Sequence, residues 1–123
     1  MNAHPLPTLR NQLLSLHKLL MNAERALYEQ EGNVIQSPNH FLQLLTGDVR
    51  FAWLRELSQL IVMIDEAMDE RPAISTERAD ALVSEARLLL TGGEVGSFGA
   101  RYAAIMQRDP AVATAQQEIS KSF

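Results

Sequence analysis

Four polar side chains recur along one face of the first predicted helix, at spacings that bring them into line. They are Arg10, His17, Glu24 and Tyr28, and they align because an α-helix turns by about 100° per residue. Leucines flank them on both sides, so the polar groups stand in the middle of an apolar face. Polar groups inside a protein core require hydrogen-bonding partners. The sequence therefore predicts an internal polar seam.

A later predicted helix supplies partners for this seam. Ser58 and Asp65 stand among apolar residues at helical spacing. If the two helices pack antiparallel with facing residue numbers summing to about 82, His17 lies beside Asp65 and Glu24 beside Ser58. The same register predicts two further pairs, Arg10 with Asp69 and Glu31 with Arg50.

This seam has two interpretations. In the first, His17 and Asp65 form a general acid–base pair, with Glu24 as a second titrating group and Tyr28 as a donor to a substrate oxygen. Ionised Asp65 would then raise the pKa of His17. In the second, which we favour, the same groups satisfy one another and fix the register of the helices. A shifted pKa does not distinguish the two interpretations, because structural ion pairs shift pKa values as readily as catalytic ones do.

No metal site and no cofactor are predicted. The chain has no cysteine, which excludes thiolate ligands. Di-iron bundles use Glu-x-x-His on paired helices, and none of His4, His17 and His40 follows a glutamate at that spacing. We interpret His40 as an ordinary polar residue at the edge of a short helix.

The apolar spacing and the capping signals predict an all-α fold: a single-domain helical bundle of about four main helices and one or two short ones. The predicted segments, in chain order, are Thr8 to Gly32, Ser37 to Gly47, Asp48 to Asp69, Ser75 to Gly92, a fifth helix capped by Ser97, and a short tail opened by Asp109-Pro110. Residues 1–7 are expected to fray and residues 92–97 to form a flexible glycine-rich loop. The third helix, whose apolar arc spans roughly 200°, is predicted to be the central one.

Composition narrows the function classes. A length of 123 residues suits one domain. The net charge of −4 and the scattering of nine arginines argue against a nucleic-acid partner. The longest apolar run, Leu60 to Ile64, is too short for a membrane span. No secretory signal is visible at the start, so a cytoplasmic location is expected.

Three stretches carry a family resemblance. They are Asp48 to Asp69, the His17…Glu24…Tyr28 helix, and the Gln107-Arg-Asp-Pro110 end. Together they resemble a family of small all-helical bacterial proteins of unknown function. The resemblance implies the fold and carries no activity.

We therefore expect a non-enzymatic protein that acts through protein association, as a homodimer formed through the apolar arc of the third helix. The alternative is a small-molecule-binding protein or minor enzyme built on the polar seam. Its residues would be His17, Glu24, Tyr28, Ser58 and Asp65. A sealed, mutually hydrogen-bonded seam favours the first interpretation, and an open cleft with unpaired polar atoms favours the second.

Overall fold

The chain folds into six α-helices in a computed structural model that describes residues 6–70, 73–91, 96–121 and 123, with the side chains of residues 96 and 97 left aside. The helices are α1 (Leu6–Gln30), α2 (Pro38–Gly47), α3 (Leu54–Met68), α4 (Thr76–Thr91), α5 (Gly96–Arg108) and α6 (Pro110–Ser120). A short 3-10 helix, Val49–Phe51, lies between α2 and α3. Within these residues there is no strand, as the sequence predicts.

Helix α1, rather than α3, packs against the larger number of helices. Helix α1 packs against α3, α4, α5 and α6, whereas α3 packs mainly against α1 and α4. The leucine stripe of α1 is completely buried; it comprises Leu6, Leu9, Leu13, Leu16 and Leu20. The wide apolar arc of α3 is not fully covered, since Val62 and Met63 are 53% and 38% exposed. The predicted central role of the third helix is therefore wrong.

The helix starts predicted at Ser37, Ser75 and Asp109 are confirmed. The side-chain oxygens of Ser37, Ser75 and Asp109 accept hydrogen bonds from the first-turn backbone N–H groups of α2, α4 and α6, at 3.0–3.1 Å. Such a bond satisfies a donor that has no partner inside the helix. Gly32 follows the end of α1 with a φ of +96°, a conformation that glycine adopts without steric cost.

Two helix starts differ from the prediction. Helix α1 begins at Leu6, so Thr8 lies within it, and α5 begins at Gly96, so Ser97 lies within α5. The part of the expected glycine-rich loop formed by residues 96 and 97 is therefore helical. The other part, residues 92–95, lies outside the described residues. Of residues 1–7, which were expected to fray, Leu6 and Pro7 are the first residues of α1, and residues 1–5 lie outside the described residues.

The predicted third helix is interrupted near its start. Asp48 caps as expected, because its Oδ1 accepts from the Arg50 N–H at 2.8 Å, but the capped element is the 3-10 helix and α3 begins only at Leu54. Phe51 and Trp53 are both buried. In a continuous α-helix their side chains would point about 200° apart. The break allows both rings to enter the core, and it directs Arg50 toward α1.

Candidate functional site

The polar seam exists, but its register differs from the predicted one by seven residues. His17 Nε2 lies 2.8 Å from Ser58 Oγ, and Arg10 forms an ion pair with Asp65. In both pairs the two residue numbers sum to 75, whereas the predicted register has a sum of about 82. The expected pairs of His17 with Asp65, Glu24 with Ser58 and Arg10 with Asp69 are therefore wrong, whereas the antiparallel arrangement is correct.

The fourth expected pair, Glu31 with Arg50, is confirmed. The Arg50 NH1 and NH2 groups donate to the two Glu31 carboxylate oxygens at 2.6 and 2.5 Å. The register shift does not apply to Arg50, because this residue lies in the 3-10 helix before α3. The interruption in the chain moves its guanidinium toward the carboxyl end of α1.

A buried carboxylate, Glu24, organises one end of the seam. Its side chain is fully buried, in the second half of α1. Arg101 donates to both of its oxygens, from Nε to Oε1 at 2.8 Å and from NH2 to Oε2 at 2.6 Å. Arg50 Nε donates to Oε2 at 2.9 Å, and Trp53 Nε1 donates to Oε1 at 3.0 Å. Each carboxylate oxygen thus accepts two hydrogen bonds. We call Glu24, Arg50, Trp53 and Arg101 the Glu24 cluster.

The electrostatics of the Glu24 cluster keep its carboxylate ionised. Burial alone raises the pKa of Glu24, but the hydrogen bonds from Arg101 and Arg50 outweigh burial and hold the pKa below its ordinary value. The bidentate bond to Glu31 raises the pKa of Arg50 further above its usual range. Burying a carboxylate is costly unless donors surround it. Here the two arginines and the indole provide those donors.

Three parts of the chain position the cluster. Glu24 comes from α1, Arg101 from α5, and Arg50 and Trp53 from the segment between α2 and α3. An aromatic row supports the indole, because the Trp53 and Phe98 rings lie 5.4 Å apart and Phe98 lies 5.4 Å from Tyr102. The cluster therefore joins elements that are distant in sequence.

Tyr28 contributes its ring to this end of the seam. The ring meets Phe51 edge-on at 6.0 Å, and the Arg50 guanidinium lies 5.7 Å from its centre. Such contacts with an aromatic face stabilise a guanidinium. The predicted role of Tyr28 as a donor to a substrate oxygen stays a prediction.

The middle of the seam is the neutral pair of His17 and Ser58, which lies beside a cavity. His17 and Ser58 line a cavity of about 330 Å³ together with Phe51 and Leu54. Burial lowers the pKa of His17, which is opposite to the rise predicted from an Asp65 partner. Asp65 pairs with Arg10 instead, and among the described residues no carboxylate orients the imidazole.

A cleft of about 480 Å³ lies over the exposed side of the Glu24 cluster. Its lining residues are Leu27, Glu31, Val49, Arg50, Trp53, Arg101 and Arg108, and we call it the arginine cleft. In the part of the chain that the structure describes, Arg108 forms no ion pair. The cleft therefore presents a guanidinium that no carboxylate of the described residues pairs with.

The structure brings Trp53 and Arg101 to Glu24, and neither residue is among the seam residues predicted from the sequence. In the structure Arg101 binds Glu24, and Gly96 and Gly99 lie within α5. One feature of the sequence is consistent with the contact between Arg101 and Glu24. Arg101 directly precedes the buried Tyr102, and an arginine at the margin of an apolar stripe is well placed to reach a buried acid on a neighbouring helix.

Over the described residues, no group of three or more His, Asp or Glu side chains is arranged to hold a metal ion. In the same residues, no helix combines the length and apolarity needed to cross a membrane. No family model matches the chain, and no curated protein or solved structure is detectably similar to it. The family resemblance inferred from the sequence stays a prediction.

Proposed function

We propose that this protein is a non-enzymatic binding protein that recognises a small organic anion in the arginine cleft. The observation that carries the proposal is the position of Arg108, which lines the cleft with no carboxylate partner among the described residues. Arg50 and Arg101 line the same cleft. Convergent guanidinium groups are a common means of recognising carboxylates and phosphates.

Arg50 and Arg101 retain donors for a ligand. A guanidinium has five N–H groups. Arg101 directs two of them to Glu24, and Arg50 directs one to Glu24 and two to Glu31. The remaining N–H groups have no acceptor within the described residues. Glu24 fixes both guanidinium groups before a ligand arrives, and such preorganisation lowers the entropic cost of binding.

The charge of the cleft also favours an anion. Three arginines line the cleft, whereas only two carboxylates, those of Glu24 and Glu31, pair with them, so the local balance is positive although the whole chain carries −4. Since exposed charges are screened by salt, we expect binding to weaken as ionic strength rises.

The contacts of the polar seam support a non-enzymatic role. Glu24 accepts four hydrogen bonds, and no buried side-chain polar atom of the described residues lacks a partner. A saturated carboxylate offers no lone pair for proton transfer. The contact between Ser58 and His17 brings a hydroxyl to an imidazole, but the third group that orients the base in a catalytic triad is missing there among the described residues.

Arg108→Met tests the proposal because this substitution leaves the Glu24 cluster intact. The matched control is Arg87→Met, which removes an exposed arginine of α4 away from the cleft. Each protein is titrated with acetate, hexanoate and inorganic phosphate by calorimetry at low salt. We expect at least one anion to bind the wild type and the Arg87 variant equally, and to bind Arg108→Met several-fold more weakly. Binding that is equal in all three proteins would contradict the assignment of the cleft.

Association with a second copy is a separate proposal for the surface of α3. The exposed Val62 and Met63 side chains support it, since symmetric dimers are the commonest way to cover such residues. Sedimentation of the wild type and of Val62→Glu measures it. We expect the wild type to form a dimer that the glutamate disrupts, and a monomeric wild type at tens of micromolar would refute the proposal.

A further inference from the structure

We infer that the anion recognised in the arginine cleft is a monocarboxylate with an apolar body, and that Glu31 occupies its carboxylate subsite in the unliganded protein. This inference rests on the proposed function, since it names the class of ligand for the same cleft. Three observations carry it: the geometry of Glu31 on Arg50, the charge of the cleft, and the apolar part of its wall.

Glu31 binds Arg50 as a free carboxylate would. Its two oxygens accept from NH1 and NH2 of one guanidinium at 2.6 and 2.5 Å, which is the parallel two-bond arrangement by which arginine recognises carboxylates. The hydrogen bonds from Arg50 lower the pKa of Glu31, so Glu31 is ionised at neutral pH. The cleft therefore already holds one carboxylate on the guanidinium that faces it.

Glu31 is replaceable, whereas Glu24 is not. The Glu31 side chain is 54% exposed and follows the last residue of α1. It is held by Arg50, while the buried Glu24 is held by two arginines and an indole. An exposed ion pair contributes little free energy. A ligand carboxylate can thus take the place of Glu31 on Arg50 without disturbing the Glu24 cluster.

The charge of the cleft is compatible with a monoanion. Arg50, Arg101 and Arg108 line the cleft, and Glu24 and Glu31 balance two of their three positive charges. A ligand carboxylate that takes the place of Glu31 on Arg50 substitutes one negative charge for another, so the positive surplus that attracts an anion to the cleft stays the same. Complementary charge in a recess is the condition under which an ion is retained there.

The apolar residues of the cleft wall favour a ligand whose remaining part is apolar. Leu27, Val49 and Trp53 line the cleft beside the arginines. Val49 is 88% exposed, so its side chain has almost no packing partner in the protein. An apolar chain or ring attached to the carboxylate would cover it, and burial of apolar surface is favourable in proportion to the area removed from water. The structure thus assigns an amphipathic carboxylate to the cleft.

The test compares wild type, Glu31→Gln and the control Glu29→Gln, which removes a carboxylate from α1 outside the cleft. Hexanoate, neutral hexanamide and inorganic phosphate are titrated against each protein. Trp53 is the only tryptophan of the chain, so its indole N–H resonance reports binding at this site. We expect hexanoate to bind Glu31→Gln about two- to fivefold more tightly than the wild type, because the competing exposed carboxylate is gone. Glu29→Gln should bind like the wild type, and hexanamide should not bind.

Each other outcome separates this inference from the proposed function. Equal affinity of hexanoate for wild type and Glu31→Gln would show that Glu31 does not occupy the carboxylate subsite, and would overturn the inference alone. Binding of phosphate without hexanoate would overturn the ligand class and leave anion binding standing. If hexanoate, hexanamide, phosphate and acetate all fail to bind any of the three proteins, the inference and the proposed function are overturned together. Circular dichroism confirms that the exposed substitutions leave the helices folded.

Discussion

The two ends of the polar seam use the same kinds of side chains in different surroundings. At one end, Glu24 is fully buried and receives donors from two other parts of the chain. At the other end, Arg10 and Asp65 join only α1 and α3, and their side chains are 36% and 43% exposed. Between them lies the neutral pair of His17 and Ser58. The comparison shows that two properties decide how strongly a polar contact constrains the fold: the burial of its side chains, and the number of helices and segments that contribute to it.

Substitution of Glu24 has the largest expected effect. Glu24→Gln removes the buried negative charge and leaves two arginines facing a neutral amide. Removing one partner of a buried ion pair typically costs about 3–5 kcal/mol. We expect the free energy of unfolding to fall by about 3 kcal/mol or more, measured by urea titration with circular dichroism.

The control for this substitution lies on the same helix. Glu29 forms an exposed pair with Arg25 at 3.8 Å, and exposed pairs contribute about 0–1 kcal/mol. Glu29→Gln should therefore have a small effect, and the indole resonance of Trp53 should move only in the Glu24 variant. Equal losses in the two variants would mean that burial does not distinguish the carboxylates.

The middle of the seam tests the register directly. A double-mutant cycle with His17→Leu and Ser58→Ala should give a coupling energy of roughly 1 kcal/mol, since contacting residues are where additivity fails. A parallel cycle with His17→Leu and Asp65→Leu should be additive within about 0.5 kcal/mol. Asp65 lies seven residues beyond Ser58, which is about 10 Å along a helix. The opposite result would restore the register in which His17 faces Asp65.

The pH dependence of stability distinguishes the same two registers by its sign. Burial holds the folded pKa of His17 below its ordinary value of 6.5, so the unfolded chain takes up this proton first as the pH falls. The contribution of His17 is full above pH 6.5 and is lost as the pH falls through the lowered folded pKa. Urea midpoints between about pH 8 and 5 should fall more steeply in the wild type than in His17→Leu. An increase toward acid pH would indicate an Asp65 partner.

The sequence predicts the helices and the presence of the seam because both follow from local periodicity and capping. It does not predict the register. Polar residues recur every seventh position in α1 at Arg10, His17 and Glu24, and Ser58 and Asp65 are also seven apart. A shift of seven residues therefore matches polar groups with polar groups again. The spacing alone favours neither register.

The donors of the Glu24 cluster cannot be predicted from the sequence, for a different reason. Its donors come from a helix interruption and from α5, and no local pattern relates these segments to Glu24. The break at Val49–Phe51 follows from the need to bury both Phe51 and Trp53, which is a tertiary requirement. An ionisable residue in a leucine stripe does predict that partners exist. Their identity requires the assembled bundle.

The smallest expected effect concerns the exposed end of the seam. Arg10 pairs with Asp65 in the structure, whereas the register drawn from the sequence pairs it with Asp69. Both acids lie on the last turns of the third helical segment, so Asp65→Asn and Asp69→Asn are matched changes. We expect a coupling energy of about 0.2–1 kcal/mol between Arg10→Gln and Asp65→Asn, and none between Arg10→Gln and Asp69→Asn. Because these side chains are partly exposed, the coupling should decrease in 1 M salt, where charges are screened within about 3 Å. The destabilisation caused by Glu24→Gln should change much less with salt. A coupling at Asp69, or a salt response of equal size at both ends, would show that the exposed and buried ends of the seam are not electrostatically distinct.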